Sequence, residues 1–198
     1  MKFLYPLIFA LCFCACAGTS PLKNEPGFTP KNTPIFMAGN AKRTALKMTF
    51  EYSGKEYGFL LLANKKNDYV NFKFIGDFAS VLASINLKEG KFEYENISPL
   101  LENEKIKQAL EETLLALFAN KGKPTKEGKS TITYKQGNLK YKYYFNKGEN
   151  NPYKLKQTSP LANKTFIFEN YIQDIPQNIV VKAKFNLIKI NFELLAND

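Results

Sequence analysis

From Ala45 to the C-terminus, apolar side chains recur at every second position through one strand-length stretch after another. Met48, Phe50 and Tyr52 alternate with Thr49 and Glu51, and after Ser53-Gly54 the alternation resumes at Tyr57, Phe59 and Leu61. A period of two puts successive side chains on opposite faces of a strand, so each run builds a ribbon with one apolar face. Val70, Phe72 and Phe74 continue the pattern, and Ser80 to Leu87 and Lys91 to Glu95 form two further strands across Lys88-Glu89-Gly90. Turn residues this close together predict hairpins, and hairpins make the sheet mostly antiparallel.

One stretch breaks the period. Leu101, Ile106, Leu110, Leu114, Leu117 and Phe118 recur at three- and four-residue steps, which predicts an amphipathic helix opening at Ser98-Pro99 and ending at Asn120 and Gly122. A basic loop is expected over residues 121–129. Strands then resume at Thr131 to Lys135, Leu139 to Phe145, Tyr153 to Gln157, Lys164 to Tyr171, Ile179 to Phe185 (after a break at Pro176) and Leu187 to Leu194. The expected fold is mainly β with one long helix (α+β): a curled antiparallel half-barrel of about eleven strands with a helical lid. A sheet of that many strands curls, and its greasy interior is either packed solid or left as a ligand cavity. The lining of such a cavity would be Phe50, Phe59, Phe72, Phe74, Tyr141 and Phe185 below, and Leu110, Leu114 and Phe118 above.

The N-terminus reads as an address. Met1-Lys2 and the apolar run from Phe3 to Phe13 are too short to span a bilayer comfortably. Phe13-Cys14-Ala15-Cys16 resembles a bacterial lipobox, in which a small residue precedes the cysteine that becomes diacylated. That resemblance implies a signal peptide over 1–15, acylation of Cys16 as the link to membrane lipid, and Cys16 as mature N-terminus. The three cysteines lie at 12, 14 and 16, so a chain starting at Cys16 has no disulfide. Residues 16–40, with Pro21, Pro26, Pro30 and Pro34, form a tether of about 25 Å root-mean-square reach. Ile35-Phe36-Met37 is the apolar cluster where the chain first meets the domain, which spans 41–198.

Chemistry is narrowed by absence. There is no histidine and no tryptophan, so histidine triads and the usual zinc sites are excluded, and no nucleotide-binding motif is present. Glu93 with Glu95 and Glu111 with Glu112 are the paired carboxylates; the first pair shares a solvated strand face and the second points two ways from a helix. The chain is not expected to be an enzyme, and no cofactor or metal is expected. The net charge of +10 comes from lysine, with Arg43 the single arginine. Phosphate recognition usually enlists arginine forks, so nucleic acid is not expected, whereas anionic headgroups suit surface lysines.

Strands, a helical insertion and a closing pair of strands behind a lipobox resemble the LolA and LolB group. Two local stretches carry the likeness: Tyr69 to Ala83, with Gly76-Asp77-Phe78-Ala79 between two strands, and Asp174-Ile175-Pro176-Gln177-Asn178-Ile179 before the last two. The tryptophans common in LolB-type receptors are missing. The resemblance implies a monomeric outer-membrane lipoprotein facing the periplasm. Its cavity would accept acyl chains of lipoprotein cargo handed over by a LolA-like carrier, and Phe78 would enter the membrane. The alternative is an envelope lipoprotein with a solid core that docks a protein partner.

Overall fold

The computed structural model describes residues 35–36, 41–99, 101–160, 163–183 and 188–198. The alternating runs form strands β1 (Arg43–Tyr52), β2 (Lys55–Lys65), β3 (Tyr69–Ile75), β4 (Val81–Lys88) and β5 (Lys91–Ile97). Helix α1 (Glu104–Phe118) follows, then β6 (Lys126–Gly128), β7 (Thr131–Gln136), β8 (Leu139–Phe145), β9 (Pro152–Thr158), β10 (Asn163–Ile172), β11 (Ile175–Ala183) and β12 (Ile188–Asn197). These twelve described strands make one sheet in the order β5-β4-β3-β2-β1-β12-β11-β10-β9-β8-β7-β6. Every pairing is antiparallel.

Two meanders are sewn together where the first strand meets the last. β1 pairs with β12 from Thr44 opposite Asn197 to Tyr52 opposite Ile188. The backbone of Arg43 and Asp198 extends that seam in both directions, at 2.8 and 2.9 Å. The chain between β5 and β6 must therefore travel from one sheet edge to the other, and it carries α1 across the face on the way. Along the sheet, the β4–β5 and β7–β8 turns are nine strand spacings apart, roughly 40 Å if the sheet were flat. Instead, a β-carbon built on Gly90 would lie 3.3 Å from Gln136 Nε2. The sheet is curled, and no described pairing joins β5 to β6, so it is an open half-barrel with one helix.

The apolar face of the alternation lines the inside of the curl. Leu46, Met48 and Phe50 of β1, Phe59 and Leu61 of β2, Phe72 and Phe74 of β3, and Ile190 and Phe192 of β12 join the apolar stripe of α1 in one buried cluster. Each large side chain so buried contributes about 1.5–3 kcal/mol. Phe36 is part of it: its ring lies 5.4 Å from that of Phe118, and its N–H donates to Leu117 O at 3.1 Å.

The expected half-barrel of about eleven strands has twelve described strands. Three expectations of detail are corrected. The loop expected over 121–129 contains the short strand β6, paired with β7. The helix is capped by Asn103 rather than Ser98: Asn103 Oδ1 accepts from Lys105 N at 3.0 Å and Ile106 N at 3.4 Å. Ser98 belongs to a preceding turn, its carbonyl accepting from Leu101 N. Pro176 does not break the chain before a strand; it lies within β11, opposite Tyr171 at the start of the ladder, where a missing N–H is tolerated. Cys16, Phe185, the expected signal, and the expected tether except Ile35 and Phe36 lie outside the described residues.

Candidate functional site: the interior beneath the helix and the β3–β4 loop

Phe50, Phe59, Phe72 and Phe74 come from the N-terminal meander, Tyr141 from β8, and Leu110, Leu114 and Phe118 from α1. The fold brings all of them into the one buried cluster. They meet because α1 lies over the concave face with its apolar stripe inward; Phe118, for instance, sets its ring edge-on to Phe72 at 5.0 Å. The pockets whose walls are described open elsewhere. One of about 470 Å³ lies along the outer face at Glu51, Val180, Lys182 and Ile188. Another of about 310 Å³ sits at the rim, where Phe118 borders Tyr69, Val70 and Leu87.

The helix is tied to both halves of the sheet by polar bridges from adjacent residues. Tyr94 of β5 donates its hydroxyl to Glu111 Oε1 at 2.5 Å. One position along, Glu112 turns the other way and pairs with Lys164 of β10 at 2.7 Å. The Lys164 ammonium also donates to Ala109 O at 3.0 Å, and Gln157 Nε2 of β9 donates to Glu112 O at 2.9 Å. Burial lowers the Lys164 pKa while Glu112 pulls it back up. The helical carboxylates are thus structural bridges and do not converge. On the outer face, Glu95 accepts from Ser84 Oγ at 2.7 Å and Asn86 Nδ2 at 2.8 Å, bonds that lower its pKa.

Lys121, the first residue of the expected basic loop, is 6 % exposed. Its side chain folds back onto the end of α1, donating to Ala119 O at 2.7 Å and Leu115 O at 3.2 Å. Burial pushes its pKa down to about 7. Nothing in the local sequence distinguishes Lys121 from its exposed neighbours Lys123 and Lys126; its ammonium lies over the Tyr141 ring of β8, 5.2 Å from the centroid.

The β3–β4 loop is short and internally bonded. Gly76 N donates to Ser80 O at 2.9 Å, and Ser80 Oγ donates to Asp77 O at 2.8 Å. Between them Asp77–Ala79 makes a single 3₁₀ turn with Phe78 and Ala79 both at φ +57°. A left-handed backbone is unfavourable for residues other than glycine, so two in succession store strain. The result is a phenylalanine ring that is 103 % exposed, with Val81 also exposed beside it.

Among the described residues no three His, Cys, Asp or Glu side chains gather as metal ligands, and no helix is long and apolar enough to cross a membrane. No protein-family model matches the chain, and no curated protein matches it. Among solved structures, an outer membrane lipoprotein-sorting protein domain from Vibrio parahaemolyticus is similar at TM-score 0.47 and 10 % identity, over 83 % of this chain and 87 % of that one. At that score and identity the likeness carries no weight for function.

Proposed function

We propose that this chain is a lipoprotein anchored through Cys16 to the outer membrane, facing the periplasm. It takes acyl chains between α1 and the concave face of the sheet and delivers them to the bilayer at Phe78. The observation that carries the reading is Phe78 itself, wholly exposed on a strained, self-bonded loop. Strain held at an exposed apolar tip is a common mark of a working surface, and burying that ring in lipid would return about 1.5–3 kcal/mol. The interior supplies the other half: each methylene transferred into it is worth about 0.8 kcal/mol. Because the expected lining is packed against α1, entry of an acyl chain requires the helix to lift, with its bridges at Glu111 and Glu112 as the points of release. Lipoproteins are the cargo this reading favours, with a LolA-like carrier as donor.

The test is transfer. The full chain is loaded with an acylated lipopeptide and mixed with vesicles, and cargo arriving in the vesicles is counted for wild type and Phe78→Glu. The variant should bind and fold as wild type and deliver several-fold more slowly. Equal delivery removes the role given to the loop.

A second reading, a solid-cored lipoprotein that docks a partner, has its own observation. Lys142, Lys154 and Lys156 crowd around the Tyr144 ring on the outer face, at 5.1, 4.7 and 5.8 Å. Such a basic aromatic patch suits an acidic partner.

A further inference from the structure

The interior under the end of α1 is not uniformly apolar. Tyr141, Tyr143 and Gln157 are at most 3 % exposed, yet the Tyr141 and Tyr143 hydroxyls and Gln157 Oε1 have no hydrogen-bond partner. Buried polar atoms are nearly always paired, and leaving one unpaired costs about 1–3 kcal/mol. These three are neighbours. Tyr141 and Gln157 face each other across β8 and β9, with the amide close enough to the phenol to pull its pKa down against the effect of burial. Tyr143 lies two residues further along the same inward face. Lys121 Nζ stands 5.2 Å from the Tyr141 ring centroid.

The charges around this spot do not balance. Glu112 is already matched by Lys164 at 2.7 Å and by Gln108 Nε2 at 3.0 Å, so that ion pair contributes no net charge. Lys121 bonds only carbonyl oxygens, so when protonated it gives the island a positive charge that no carboxylate matches. The island's donors are two hydroxyls and an ammonium, and its free acceptors are Gln157 Oε1 and the two hydroxyl oxygens. Burial raises the pKa of both tyrosines, which keeps them as donors at neutral pH. A group that accepts several hydrogen bonds and carries a negative charge would meet the hydroxyls and the ammonium together. It must also be joined to something apolar, because the rest of the interior is.

We infer that Lys121, Tyr141, Tyr143 and Gln157 form a head-group site for the carboxylate of a long-chain fatty acid whose tail occupies the interior beneath α1. The inference rests on the proposed acyl-binding interior and adds a ligand class to it: a free acid, held in preference to an ester or amide of the same chain. Carboxylate oxygens would accept from Tyr141 and Tyr143 and pair with the Lys121 ammonium, whose burial is otherwise uncompensated.

The test uses the full chain in phosphatidylcholine vesicles, a palmitic acid bearing a mid-chain diazirine, and its methyl ester as control; labelled peptides are mapped after irradiation. The expected result is labelling of α1 and of residues 139–158 by the acid, about tenfold weaker with the ester, as follows from losing one charged hydrogen-bonded contact. Lys121→Met and Tyr141→Phe should each bring acid and ester closer to parity. Tyr141→Phe and Tyr143→Phe keep the ring and so remain informative if Lys121→Met fails to fold, which circular dichroism reports. Equal interior labelling by acid and ester overturns the carboxylate site and leaves the acyl-binding interior standing. Interior labelling by neither probe overturns both.

Discussion

Lys121 sits where a charge is expensive, and the pH dependence of stability should register it. Its folded pKa of about 7 lies below the ordinary lysine value of about 10.4. Between those values the unfolded chain binds the extra proton, so stability rises with pH across that window and is flat below it. The rise should be on the order of a few kcal/mol. Lys164 is shifted in the same direction and adds to it. Above about pH 10 stability should fall, because Tyr141, Tyr143 and Tyr171 have raised folded pKa values and ionise first in the unfolded chain. Melting temperatures at pH 6, 8, 9.5 and 11 check both the rise and the fall. Lys121→Met should flatten most of the rise, and a variant that climbs as steeply as wild type would assign the effect elsewhere.

At the scale of elements, α1 owes its start to one side chain. Asn103 Oδ1 meets two otherwise unpaired N–H groups, so Asn103→Ala should destabilise the protein by about 1 kcal/mol, read as a shifted midpoint in urea with an unchanged slope. Ser98→Ala should do far less, since the Ser98 side chain does not cap the helix. The contrast explains a partial misreading of the sequence. Ser98-Pro99 is an acceptable helix opening by local chemistry, but the turn in which Leu101 N and Glu102 N both return to Ser98 O buries Leu101 before the helix begins. Position 103 is where that turn releases the chain across the sheet. The strands were easier to read, because alternation is a local signal and a hairpin repeats it at once.

At the scale of the molecule, the open half-barrel binds its two edges through one helix and one tyrosine–carboxylate bridge on the β5 side. A structure closed in this way should gain stability from anything that fills the space beneath α1. Addition of an acylated lipopeptide at a hundred times its dissociation constant should stabilise the protein by about 2.7 kcal/mol, seen as a higher melting temperature of the full chain. An unchanged melting temperature at saturating lipopeptide would favour the solid-cored reading. Phe36 should matter here as well, for it brings the segment preceding β1 into the same core as Phe118 and Phe72.

By itself the sequence determined every described strand but the short β6, the long helix and the side of those strands that turns inward, because these follow from side-chain periods over a few residues. It also ruled out histidine chemistry, and the resemblance to LolB-type receptors pointed to Phe78 between two strands. Only the tertiary structure decided that β1 would pair with β12, more than a hundred residues away, and that α1 would cross from edge to edge. Long-range pairing depends on the free energy of the whole chain, which no local window contains. The same holds for Lys121, Glu112, Lys164 and Gln157. Lysine, glutamate and glutamine read as surface residues in any sequence, and they become buried, coupled groups only where two distant strands and a helix close over them.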